Sequence, residues 1–314
     1  MAVTLVYGAL LVTATLYVTF GGADFGAGFW NLLSARDPAS RKLIDESVTP
    51  VWESNHVWLV FGLVLFFTGF PAASAHVWTS EAPALWLALL GIVARGVAFA
   101  FQAVVGERAL LSGLFAASSI LTPFFMGWVI GGVVGASPPA FGVLFVAAGA
   151  YLAATYLVRE AEIRDLPALA ARFARRAVWA AAVTGAVSVV CLVLLSRTDA
   201  RLAGRLLGAA LPLTVLAALC GSAVLVRLAT GRTRLARPLA WVGVAAVVWA
   251  WGVAQHPLLV PSAAITVSEA AAPQSTLVGL LVVGAVAVVL VTPSFVLLFS
   301  LQARRRLVDP SATD

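Results

Sequence analysis

Glu53 and His56 stand three residues apart in Pro50-Val51-Trp52-Glu53-Ser54-Asn55-His56-Val57-Trp58, so on a helix they share a face. A carboxyl group and an imidazole on one face can pass a proton between them. The stretch opens an apolar run that continues to Phe70, and a centrally placed acid in hydrocarbon costs about 2.5–3.5 kcal/mol on insertion scales. A simple anchor has no use for such groups. Two more ionisable residues enter apolar runs. Asp24 lies inside Gly21-Gly22-Ala23-Asp24-Phe25-Gly26-Ala27-Gly28, and Arg95 lies near the middle of a third run, with Phe99 and Gln102 on its side. Thr13, Tyr17, Asp24 and Gly28 are spaced 4, 7 and 4 apart, which puts them on roughly one helix face, suited to a hydrogen-bonded or hydrated path. Arg95 is a natural counter-charge for Asp24 or Glu53. The bland alternatives are an interfacial helix start at Pro50, whose missing N–H suits a first turn, and a buried ion pair that only fixes helix register. Intramembrane ionisable groups more often serve transport or proton relay, so Asp24, Glu53 and His56 are candidates for one of these roles.

The elements that must position these groups are membrane spans. Of 314 residues, 61% are hydrophobic and 11% charged, and the mean hydropathy is +1.00, where a soluble domain is nearer half apolar and a quarter charged. Nine apolar runs reach the length of about 20 residues that a span needs, near 3–33, 50–70, 84–105, 112–134, 139–158, 177–196, 206–226, 239–255 and 276–300. The first is too long for one simple span, and its glycines invite a kink or a very close helix contact. Weak alternation argues against a β-barrel. No link holds a soluble domain, so residues 1–314 read as one integral membrane domain. The Arg159–Arg176 link is amphipathic and reads as a short surface helix.

Basic residues set the orientation. The loops after runs one, three, five and seven, with the tail, carry sixteen Lys and Arg, against Arg197, Arg201 and Arg205 on the other side. The positive-inside rule then puts the N-terminus outside and the C-terminus in the cytoplasm, as an odd number of spans requires. Asp24 and Glu53 both fall in the cytoplasmic half of consecutive, antiparallel helices and are expected to approach one another. His76 and His256 fall on the outer side, where polar boundary residues are ordinary. A haem needs an axial ligand deep in a bundle, and only His56 is even partly so placed. Cys191 and Cys220 lie inside apolar runs and make neither a disulfide framework nor a metal-site spacing. There is no P-loop, dinucleotide fingerprint or nucleophile elbow. The scattered arginines read as topology rather than as a nucleic-acid surface.

Gly22-Ala23-Asp24-Phe25-Gly26-Ala27-Gly28, the Pro50–Trp58 stretch and Phe67-Thr68-Gly69-Phe70-Pro71 resemble subunit II of the cytochrome bd-type quinol oxidases. Arg95-Gly96-Val97-Ala98-Phe99, Leu121-Thr122-Pro123-Phe124-Phe125-Met126-Gly127 and Trp251-Gly252-Val253-Ala254-Gln255-His256-Pro257 extend the resemblance through nearly the whole chain. It implies a haem-free subunit of a respiratory complex in the cytoplasmic (inner) membrane of a prokaryote. The complex oxidises quinol and reduces dioxygen to water with protons from the cytoplasm. The partner, subunit I, carries haems b and d, and the two form the heterodimer core. No catalytic residue, metal or cofactor is expected on this chain, and a bound quinone or lipid is left open. By the resemblance, Asp24 and Glu53 occupy acidic positions of a proton path. Where many relatives carry an acidic and then a basic residue after the Arg-Gly-Val motif, this chain has Ala100 and Gln102, which leaves the route beyond Glu53 undefined. The fold expected is an all-α polytopic membrane protein with nine transmembrane helices, arranged as two four-helix bundles plus one peripheral helix. The competing functional readings are an independent proton- or ion-coupled transporter and an assembly scaffold whose charges are structural.

Overall fold

The computed structural model describes residues 1–105 and 109–305, except for the side chains of 48–54, 103–105 and 109 and several after 291. Its helices are α1 (Ala2–Leu33), α2 (Pro38–Gly69), α3 (Pro71–Ser80), α4 (Ala82–Val105), α5 (Ala109–Val134), α6 (Pro138–Ile163), α7 (Pro167–Thr198), α8 (Ala200–Leu206), α9 (Leu211–Ala229), α10 (Ala236–Gln255) and α11 (Gln274–Arg305). Strands β1 (Leu258–Val260) and β2 (Ile265–Thr266) pair antiparallel between α10 and α11.

Eight helices among the described residues are long and apolar enough to span a membrane: α1, α4, α5, α6, α7, α9, α10 and α11. The second apolar run passes only together with α3, which meets the Asn55–Gly69 part of α2 at 111°. Counted as one broken span, that pair makes nine.

Several boundaries differ from the sequence expectation. α2 begins at Pro38 rather than Pro50, because the Asp37 side chain accepts from Ser40 N and Pro38 fills the first turn. His76 belongs to helix α3 rather than a loop, again with a proline at the helix start. No surface helix spans the 159–176 link. α6 runs on to Ile163 and α7 starts at Pro167, and two arginines of the link, Arg164 and Arg172, bind residues brought from elsewhere in the chain. Arg164 reaches Ser47 Oγ at 2.7 Å and Glu160 at 3.6 Å, and Arg172 pairs with Asp37.

α1, α2, α4 and α5 form one bundle and α6, α7, α9 and α10 a second, while α11 lies against α1 and α2. The seams between the bundles are α1 on α6 and α5 on α6. α1 is one continuous helix of 32 residues, so its glycines serve close contact rather than a kink. A Cβ on Gly26 would run into the backbone of Gly149 and Ala150, and next to this crossing Trp30 Nε1 donates to Ala150 O at 2.8 Å. Small residues let helix backbones approach where lipid supplies no hydrophobic drive.

Candidate functional site

The face of α1 anticipated from Thr13, Tyr17, Asp24 and Gly28 is the axis on which the rest of the first bundle converges. Thr13 lies against Gly62 of α2, and Tyr17 Oη donates to Met126 Sδ of α5 at 3.4 Å. Asp24 meets Arg95 of α4, and Gly28 lies against Ser119 of α5.

The centre is the Asp24–Arg95 pair. Arg95 Nη2 donates to Asp24 Oδ1 at 2.6 Å and to the Asp24 main-chain O at 2.9 Å, and Nη1 donates to Ser119 Oγ. Asp24 and Arg95 are 0% and 1% exposed. The guanidinium carbon lies 5.0 Å from the Phe25 ring and 4.1 Å from the Phe115 ring, contacts in which the ring quadrupole attracts the cation. Gly28 leaves room for this, since a Cβ there would collide with Ser119 Oγ and come within 3.0 Å of Arg95 Nη1. A buried pair survives desolvation only when further hydrogen bonds satisfy its remaining donors and acceptors. Here they do so in part: Asp24 Oδ2 and Arg95 Nε have no hydrogen-bond partner among the described residues.

One turn along, a second polar layer follows. Asn55 of α2, 1% exposed, presses its amide against Gly21, three residues before Asp24. Thr122 of α5, three residues after Ser119 and fully buried, presses against Gly91, four residues before Arg95. Asn55 Oδ1 and Thr122 Oγ1 also lack partners among the described residues. Four buried polar atoms on four helices thus retain hydrogen-bonding capacity in two adjacent layers. Buried polar groups are normally satisfied by protein or ordered water, so such a column suits proton transfer better than an apolar seam does.

His56, half-buried, follows Asn55 on α2. The Glu53 side chain lies outside the described residues, so the expected approach of Asp24 and Glu53 falls there too. His76 is half-buried on α3, and His256 is exposed at the end of α10, its ring 6.0 Å from that of Tyr7. The three histidines therefore sit on three different elements. Among the described residues no three His, Cys, Asp or Glu side chains gather as a metal site. Ser119, Asn55 and Thr122 were not singled out from the sequence as members of the column. Ser119 carries little signal, because a serine in an apolar run that bonds back one turn, as Ser119 Oγ does to Phe115 O at 2.5 Å, reads as filler. Asn55 was visible as a costly amide in the Pro50–Trp58 stretch.

At the Arg-rich ends of the helices a second network ties the α1–α2 turn to the α6–α7 turn. Arg176 donates to Ser34 Oγ at 2.8 Å and lies over the Trp30 and Phe173 rings, and Tyr156 Oη donates to Ser47 O at 2.9 Å.

Comparison with known proteins bears on this arrangement. Residues 2–302 match the family described as cytochrome bd terminal oxidase subunit II. The cytochrome bd ubiquinol oxidase subunit 2 of Bacillus subtilis (strain 168) is 28% identical over 123 residues, 37% of this chain and 36% of that protein. The cytochrome bd-I ubiquinol oxidase subunit 2 of Escherichia coli (strain K12) is 25% identical over 138 residues, 43% of this chain and 35% of that protein. The matched segments thus span about a third of these relatives' length. A chain in the structure of the bd oxidase from Geobacillus thermodenitrificans superposes with a TM-score of 0.76 at 19% identity, covering 96% of this chain and 98% of that one, which shows a shared fold.

Proposed function

This chain belongs to the cytochrome bd terminal oxidase subunit II family, and from that premise we propose that it is the haem-free subunit of a quinol-oxidising, dioxygen-reducing complex and delivers protons from the cytoplasm. Membership of a respiratory oxidoreductase complex follows from the family. The finer reading pairs the chain with a haem-bearing subunit I in a prokaryotic inner membrane, N-terminus outside, with quinol and dioxygen as substrates of the complex.

The observation that carries the proton reading is the buried Asp24 carboxylate. Arg95 holds its Oδ1, while its Oδ2 has no partner among the described residues and lies beside Asn55, Thr122 and Ser119 in the buried polar layers. In the mechanism we propose, Glu53 and His56 on α2 take up protons on the Arg-rich side. Asn55, between them in sequence, positions hydrogen bonds toward α1. Asp24 Oδ2 is the next acceptor. Arg95 holds Asp24 Oδ1 and its main-chain O in place; the proton taken at Oδ2 neutralises the carboxylate and leaves the Arg95 charge uncompensated, which favours its passing on toward the partner subunit. Haems of the partner subunit would supply the electron transfer to dioxygen.

Purification decides between this reading and an independent transporter. The oxidase reading expects the chain to co-purify with a second, haem-bearing chain and with quinol-dependent oxygen consumption. A chain that emerges alone, stable and colourless, and moves a solute in vesicles would sink it.

A further inference from the structure

One concavity lies away from the first bundle. It is a groove of about 930 Å³ formed by the α6–α7 turn, the first turns of α7 and the end of α9. Val178 and Leu228 wall it, and Trp179, 74% exposed, stands at its rim. A tryptophan at that position is typical of the membrane–water boundary, and the groove opens on the helix ends where the arginines are concentrated.

Charged as well as apolar residues line it. Several of the charged groups around it have partners. Arg159 bonds Glu162 at 3.3 Å, Thr233 Oγ1 donates to Glu162, Arg164 binds Glu160 and Glu46, Arg172 binds Asp37, and Arg176 bonds Ser34 and lies over two rings. Two lining residues are left over. Arg175 and Asp165 are both exposed, and neither has an ion-pair partner among the described residues. One cation and one anion thus flank a single groove with an apolar wall. Arg232 and Arg234 add positive charge beside the lining residues Gly231 and Thr233.

We propose that this groove binds a phospholipid with an ethanolamine head. Arg175 takes the phosphate as a charge-assisted hydrogen bond, Asp165 takes the primary ammonium, and an acyl chain lies along Val178, Leu228 and Trp179. A choline head has no N–H to give Asp165, and a glycerol head has no cation at all. The ethanolamine lipid is therefore the one whose charges match both residues. The site is independent of the proton path, and its failure would leave that reading untouched.

The test uses the assembled complex, stripped of lipid in detergent and re-exposed to phosphatidylethanolamine, phosphatidylcholine or phosphatidylglycerol of matched chains, with retained lipid counted by native mass spectrometry. The wild type should hold the ethanolamine lipid about tenfold better than the other two, the margin expected of one charge-assisted hydrogen bond. Arg175→Ala should lose it. Asp165→Asn should hold all three alike, and asparagine tolerates the positive φ of 53° found at this position. Equal retention of the three lipids by the wild type, preference for the glycerol lipid, undiminished ethanolamine lipid in Arg175→Ala, or displacement of the lipid by free phosphate would each overturn the proposal. Should a variant fail to assemble, the wild-type comparison still decides.

Discussion

Arg95 of α4 grips Asp24 of α1 twice with one nitrogen, at the side-chain Oδ1 and at the main-chain O, while its other terminal nitrogen holds Ser119 of α5. One side chain thereby ties three helices through groups that are 0–1% exposed. Removing either partner leaves a buried charge uncompensated, which costs about 3–5 kcal/mol. Asp24→Asn and Arg95→Met should each lower the thermal midpoint of the complex sharply, whereas the double variant should recover part of the loss, since removing both charges together leaves neither of them buried without its counter-charge. Arg95→Lys should fall between, because a point charge cannot serve Asp24 Oδ1, Asp24 O and Ser119 together. Midpoints measured on all four variants check this, and additive losses in the double variant would argue that the pair is uncoupled.

The α1–α6 crossing makes a second demand. Gly26→Ala drives a methyl group into the Gly149 backbone, where nothing flexible can yield. Overpacking of this kind costs about 1–3 kcal/mol. Gly96→Ala on α4 is the control, because nothing lies within 4 Å of its added Cβ. Reduced assembly for Gly26→Ala with normal assembly for Gly96→Ala is the expected pattern, read from the yield of intact complex. Equal yields would mean that the two helices slide apart at little cost.

What could be read from the sequence, and what could not, divides by the range of the signal. The glycines around Asp24 announced a close contact, and Arg95, a lone cation in a run of apolar residues, announced an acid nearby. Both are local violations of composition and carry their own alarm. Ser119 and Thr122 raised none, because a hydroxyl can satisfy itself on the carbonyl one turn back and its membership of a column depends on which helix faces it. The α6–α7 turn misled for a related reason. Arg164 and Arg172 look like surface charge until Ser47, Glu160 and Asp37 from elsewhere in the chain come to meet them. Two features of α2 also escaped, its start twelve residues before Pro50 and its 111° break at Phe70.

On the opposite side of the molecule, Glu81 at the α3–α4 junction gives a pH prediction. Burial raises its pKa above the ordinary 4.5, and the charge of His76 opposes the rise. A carboxyl whose folded pKa is raised favours the fold in its neutral form. Its contribution is therefore fully present below about pH 4.5 and is lost as pH climbs through the raised value. Glu81→Gln should remove that decline, so the variant should be the more heat-stable at neutral pH and converge with the wild type in acid. The group is partly solvated, which keeps the gap small. Thermal midpoints across that range test it, and a variant less stable at neutral pH would reverse the sign of the argument.

Glu53 carries the sharpest functional prediction, because it stands on α2 two residues before Asn55, whose amide abuts the turn of α1 that precedes Asp24. If Glu53 exchanges its proton in turnover, Glu53→Gln preserves shape and hydrogen bonding but removes the exchangeable acid. The complex should then assemble with full haem content and turn over about tenfold more slowly or worse, equivalent to at least about 1.4 kcal/mol on the barrier. Glu53→Asp should keep part of the activity, since the acid survives on a shorter stem. A purely structural Glu53 gives another pattern: either glutamine is tolerated, or assembly fails and haem disappears together with activity. Haem per complex and oxygen consumption measured on one preparation separate these cases. An intact Gln variant with wild-type turnover would take Glu53 out of the path and leave Asp24 to receive its protons by another route.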